Sequence, residues 1–158
     1  MLECASLATL SPGVMGQTGI EALELLRSAA DAIHPDLILV IDALAAGSCE
    51  RLATTVQLSS VGIVPGSGVG NHRGAITKET VGVPVISMGI PTVVDSATLV
   101  CEALKLSESG EPNEQLRKIL ENGKSFFVSP KECDVIVSHF SKLLSKAIDL
   151  AYVGELPF

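Results

Sequence analysis

The sequence predicts an α/β protein built on an open, mostly parallel sheet with helices on both faces. Three observations point there. The composition is 47% hydrophobic and 18% charged, with aromatics at only 3% and no Trp. A chain of 158 residues with that balance folds around one core of Leu, Ile, Val and Ala. The run Leu37–Ile41 has the unbroken apolar character of a strand buried on both sides, and Val83–Met88 (VPVISM) reads as another buried strand. Stretches of helical periodicity alternate with these runs, which is the pattern of strands joined by crossover helices.

Taken in order, residues 2–9 (LECASLAT) have strand character, and Ser11-Pro12-Gly13 turns the chain. Thr18 then stands three residues before Glu21, the spacing of a capping box. The helix it opens carries Ile20, Leu23, Leu26, Ala30 and Ile33 on one face. Pro35 disfavours helix at the preceding residue, so His34-Pro35-Asp36 ends it. The strand Leu37–Ile41 follows, with Asp42 expected at its carboxyl end. A short helix is expected over Ala45–Ala53 and a strand over Thr54–Leu58. Residues 59–80 hold six glycines or prolines (Gly62, Pro65, Gly66, Gly68, Gly70 and Gly74) and are expected to form a long loop over one end of the sheet. After Val83–Met88, Gly89-Ile90-Pro91-Thr92 reads as a turn, and a helix is expected over Val94–Leu106. Residues 107–113 form a polar linker to a C-terminal helical part, 114–158. That part holds a helix over Glu114–Glu121, a short strand at Phe126–Val128, and a last helix running to Tyr152. Ser129 is its expected N-cap, with Pro130 at the first helical position. The whole of 1–158 reads as a single domain.

The net charge of −7 and pI near 4.9 exclude a general nucleic-acid binder, which needs a basic face. Cys4, Cys49, Cys101 and Cys133 are widely spaced with no C-x-x-C pair, as for small buried hydrophobes in a reducing compartment. Glu3 stands where a secretory signal would carry positive charge, and no apolar run approaches membrane-spanning length. The expectation is a cytoplasmic protein with no membrane partner.

In open α/β sheets, sites form at the carboxyl ends of strands. That rule selects Asp42, the glycine-rich loop and the turn after Met88. An acid directly after five aliphatic residues is costly to bury, so Asp42 must be paired, hydrogen-bonded or functional. Its alternative role is to cap the next helix. Asp95 has the same two readings, a helix cap or an acid near Asp42. Gly66, Ser67, Gly68, Gly70, Asn71 and His72 form a candidate substrate-cleft loop. Their spacing lacks the pattern of a phosphate-binding loop, so no nucleotide cofactor is expected. No serine sits in a G-x-S-x-G elbow. One His and one Asp do not make a metal site, and no metal is expected.

Several stretches together resemble the germination protease family of spore-forming bacteria, which degrades small acid-soluble spore proteins. They are Ser11 to Glu21 (SPGVMGQTGIE), Pro35 to Ala46 (PDLILVIDALAA), Gly62 to Asn71 (GIVPGSGVGN), Gly82 to Ile86 (GVPVI) and Gly89 to Asp95 (GIPTVVD). Val128 to Glu132 (VSPKE) is similar to the start of the family's C-terminal helix. The resemblance implies a fold like that of the hydrogenase-maturation proteases. It also implies a cytoplasmic enzyme of the spore core, made as a zymogen, homo-oligomeric, and using two aspartates without metal. Asp42 matches one of the two, with Thr92 and Asp95 at the neighbouring strand end. The family's other aspartate lies upstream, in a strand–loop unit with no counterpart here, and Asp31 and Asp36 do not replace it. The chain alone is therefore expected to be inactive, with its bared surface covered by the missing N-terminal segment or by self-association. Two other readings stand beside this one: a protease-like binding module without catalysis, and a metal-dependent maturation protease using Asp42 and His72.

Overall fold

A computed structural model describes residues 6–13, 18, 20–70, 73–106, 112–122 and 126–152. Helix α1 (Ala22–Ile33) leads into strand β1 (Ile38–Ala46), a 3₁₀ turn at Cys49–Arg51, and strand β2 (Gln57–Ser59). A second 3₁₀ turn (Ser67–Val69) and the short helix α2 (Lys78–Val81) precede strand β3 (Val85–Asp95). Helices α3 (Ser96–Leu106) and α4 (Glu114–Asn122), strand β4 (Phe127–Val128) and helix α5 (Cys133–Tyr152) complete the order.

Strand β3 is the centre of an open four-stranded sheet. Along one side it pairs with β1 in parallel, from Ile38↔Val85 to Ala46↔Val94. Along the other it pairs antiparallel with β2 (Ser59↔Ser87 to Gln57↔Gly89) and then with β4 (Val94↔Val128, Asp95↔Phe127). The expected mostly parallel sheet is thus mixed. Its long pairing, β1 with β3, is parallel, while the short strands β2 and β4 each pair antiparallel with β3 over three and two residues.

Both long strands run further than their aliphatic runs suggest, and β1, expected to be central, lies at the end of the described strand order. β1 continues through Asp42 to Ala46, where a helix was expected, and only the 3₁₀ turn at Cys49–Arg51 follows. β3 continues through Gly89-Ile90-Pro91-Thr92, where a turn was expected. Pro91 is tolerated for a specific reason. Its carbonyl accepts the Ala53 N–H at 2.8 Å, so its N–H side faces the gap between β2 and β4, where no ladder bond is needed. Gly89 serves packing, since a Cβ there would lie 2.3 Å from Leu44 Cδ1.

The helices flank both faces. Ala30, Ile38, Ile76, Val81 and Val85 form the main core, with Leu23, Leu26 and Val40 packed against it. This is the α1 face of the sheet. Side chains alternate along a strand, so Ile41, Ile90 and Thr92 belong to the opposite face, where α5 supplies the buried Leu144. The residues of β3 alternate buried and half-buried up to Thr92, as a strand covered on two unequal sides should.

Several local readings shift. Glu21, not Thr18, is the N-cap of α1, and the Thr18 hydroxyl instead accepts the Ile20 N–H at 3.3 Å. Ile20 and Ile33, expected on the packed face, are exposed. His34 ends α1 in a left-handed conformation (φ 49°), its N–H bonded to the Ala30 carbonyl. Ser129 caps no helix. Its hydroxyl donates to the Thr92 carbonyl at 3.1 Å, and α5 starts four residues later. Of the strand expected over residues 2–9, residues 6–9 are irregular and the rest lie outside the described residues. The linker expected at 107–113 lies mostly outside them as well.

Candidate functional site

The site is built on the outer edge of β1. In a parallel ladder the N–H and C=O of one residue point to the same side, and successive residues alternate sides. The Ile38 N–H bonds the Pro84 carbonyl at 3.0 Å, so the even-numbered residues from Ile38 to Leu44 turn their backbone groups toward β3. Leu39, Ile41 and Ala43 turn theirs outward. Among the described residues no strand pairs with that edge.

Asp42 lies in the middle of β1, half-buried, directly beside Gly89 of β3. Its carboxylate accepts the Ala43 N–H at 2.8 Å. That donor belongs to the outward set, so the acid sits on the free edge. The helix-cap alternative fails because β1 continues for four residues beyond Asp42.

A groove of about 550 Å³ opens beside it. Ile41, Asp42, Ala43, Ile90 and Thr92 form its sheet wall, Val137, Ser141, Leu144, Ser145, Ile148 and Asp149 of α5 form the other, and Leu7 and Thr9 of the irregular N-terminal segment line it as well. The structure therefore brings Thr92 and Asp42 to one groove. The α5 wall was missed in the sequence, although 137, 141, 144, 145 and 148 follow helical spacing and so share one face. Asp149 adds a second, half-buried carboxylate to the groove lining.

Asp95 does not line this groove. It is the last residue of β3, and its carboxylate accepts the Ala97 N–H at 2.7 Å, which caps α3. Gly66 (φ 75°) and Gly70 (φ 72°) bracket the 3₁₀ turn that contains Ser67 and Gly68. Gly68 lies against β1: a Cβ there would come 2.8 Å from Ala45 Cβ. The loop thus reaches the strand three residues beyond Asp42. Asn71 and His72 lie outside the described residues. Among the described residues, no group of three or more His, Cys, Asp or Glu is placed to hold a metal ion. No helix among them is long and apolar enough to cross a membrane.

A distinct polar tie joins α3 to the 3₁₀ turn after β1. The Glu102 carboxylate accepts the Cys49 N–H at 2.8 Å. A hydrogen bond with the Cys49 side chain holds Glu102 below its ordinary value. The same bond, then burial and the nearby charge, raises the Cys49 thiol. Cys49, Cys101 and Cys133 are free and half-buried.

These features define a class: an α/β protein that presents one carboxylate on a sheet edge beside a groove. A family model described as germination protease matches residues 4–108, and the chain belongs to that family. A germination protease of Caldanaerobacter subterraneus subsp. tengcongensis is 41% identical over 171 aligned positions, covering 94% of this chain and 53% of that protein. One from Clostridium perfringens is 40% identical over 164 positions, covering 90% and 50%. One from Bacillus pumilus is 50% identical over 97 positions, covering 61% and 26%. The chain spans about half the length of the first two.

Proposed function

We propose that this chain is the Asp42-bearing half of an endopeptidase that degrades small acid-soluble spore proteins during germination. The observation that carries the reading is the position of Asp42. A half-buried carboxylate in the middle of an aliphatic strand stabilises no helix, yet it stands at the mouth of a groove in a germination protease family member. Asp42 acts as one of two carboxylates. One member of such a pair holds a proton while the other activates water for attack on the peptide carbonyl. The second carboxylate comes from outside this chain, so the chain by itself is inactive. Thr92 and the 66–72 loop shape the cleft, and Asp95 supports it by fixing the start of α3. No metal takes part in this reading. The mature enzyme is a homo-oligomer of the spore core, made as a zymogen, with a fold like that of the hydrogenase-maturation proteases.

The test replaces the aspartate aligned with Asp42 in the full-length Caldanaerobacter relative by Asn. The variant should keep its circular dichroism spectrum and lose cleavage of purified small acid-soluble spore protein by about 10³-fold or more. Cleavage within a few-fold of the unmodified enzyme would end the reading.

A further inference from the structure

A second, smaller cleft of about 300 Å³ lies on the sheet face that carries Leu44, Ser87 and Gly89, opposite the α5 groove. Register fixes its position. Gly89 pairs with Asp42 on one side and with Gln57 on the other, so Asp42, Gly89 and Gln57 form one row across three strands. Residues directly opposite one another share a face. The bond from the Ala43 N–H draws the Asp42 carboxylate to the edge, and from there it also borders the α5 groove. Strands lie about 4.8 Å apart, which puts the Gln57 backbone about 10 Å from that of Asp42, the length of about three extended residues.

The cleft at the Gln57 end is firmly built. Leu44 leans over Gly89, which has no Cβ to exclude it, and supplies an apolar floor. The hydroxyl of Ser87, 6% exposed, donates to the Gly62 carbonyl at 3.0 Å and fixes the start of the far wall, Ile63 and Val64. Ile63 is held in turn by backbone bonds to and from Ile76 (2.9 and 2.8 Å). No residue lining the cleft is charged. Gln57 lines it half-buried, and among the described residues its carboxamide has no hydrogen-bond partner. An amide left in that state forgoes stabilisation that a ligand supplies.

We propose that Gln57 binds the main chain of the peptide substrate about three residues from the bond on which Asp42 acts, while the cleft seats an apolar side chain of the same segment. A carboxamide carries a donor and an acceptor, the complement of one peptide group's C=O and N–H. A carboxylate, phosphate or ammonium group would lose hydration in this cleft and find no ionic partner. An apolar side chain gains from the aliphatic floor and wall. This inference rests on the reading of Asp42 as a protease residue, but its test measures binding and not cleavage.

The experiment is side-chain amide NMR on this chain, titrated with purified small acid-soluble spore protein and, separately, with reduced and alkylated casein. The glutamines are Gln17, Gln57 and Gln115, so Gln57→Met assigns the Gln57 signal by its disappearance. That signal should shift on binding, and the Gln115 signal should not. Gln57→Met keeps the side chain's length and removes its hydrogen bonds, so it should weaken binding about tenfold at an unchanged melting temperature. An unmoved Gln57 signal with both polypeptides, or equal affinity in the variant, overturns the proposal. So does a response confined to Ile90, Thr92 and α5. A shift with casein alone keeps the cleft and removes the spore-protein reading. If Gln57 responds while the relative with Asn at the aligned aspartate still cleaves, the cleft stands and the catalytic role of Asp42 falls.

Discussion

Asp95 shows how one hydrogen bond settles a residue's role. Its carboxylate satisfies the Ala97 N–H, one of the donors that every helix start leaves open. Asp95→Ala should cost about 1 kcal/mol. Chemical denaturation should show this as a lowered midpoint with an unchanged slope. Gly89 matters through contact rather than through freedom of the backbone. Gly89→Ala would drive a methyl into Leu44, and an overpacked interior costs about 1–3 kcal/mol. The same measurement checks it, and a neutral Gly89→Ala would contradict the packing. Gly62 is the more severe case, since it combines φ 86° with a backbone carbonyl, that of Ile76, 2.1 Å from a new Cβ. The Glu102–Cys49 tie makes a prediction in pH. Glu102 is lowered, so its contribution is present above the ordinary carboxylate value of 4.5 and is lost as pH falls through the folded value. Cys49 is raised, so its contribution is present below the ordinary thiol value of 9.0 and is lost as pH rises through the folded value. Urea midpoints for the unmodified chain and Glu102→Gln should therefore differ most near neutral pH and converge in acid. An equal difference at all pH values would show that the tie acts by shape alone.

Helix α5 decides at the level of the element whether the groove exists. It places Leu144, 6% exposed, over the sheet face that carries Ile41, Ile90 and Thr92. Leu144→Ala should cost about 2–5 kcal/mol, because the space it leaves cannot fully collapse. Thermal unfolding checks the loss. The exposed neighbours Val135 and Leu143 should tolerate Ala with changes within about 0.5 kcal/mol. The two long strands carry a related lesson. Asp42 and Pro91 each look like the end of a strand in the sequence, one by its charge and the other by its ring. Each is accommodated at a position where the sheet does not ask for what it lacks. Asp42 sits on an edge with which no strand pairs among the described residues. Pro91 sits between two short partners.

At the scale of the whole molecule, the core is modest and apolar surface is left over. Ile41, Leu58, Val61, Val135, Val137, Leu143 and Leu150 are all exposed. Exposed apolar groups of this extent mark a surface made to be covered. The sequence by itself determined the alternation of helices and strands, the two long aliphatic strands of the sheet, and the acid that interrupts one of them. These follow from local periodicity and from the cost of burying charge, which any short window of residues reports. Its motifs also carried the family resemblance, because five stretches in a fixed order are a property of the chain and not of its shape. Only the tertiary structure decided the rest. The antiparallel arrival of β2 and β4, the extension of β3 through Pro91, and the use of α5 as a groove wall depend on partners distant in sequence. The role of Asp42 depended on them most of all. Whether that carboxylate caps a helix or stands on an open edge is fixed by what β1 pairs with, and pairing is a long-range choice that no local pattern encodes.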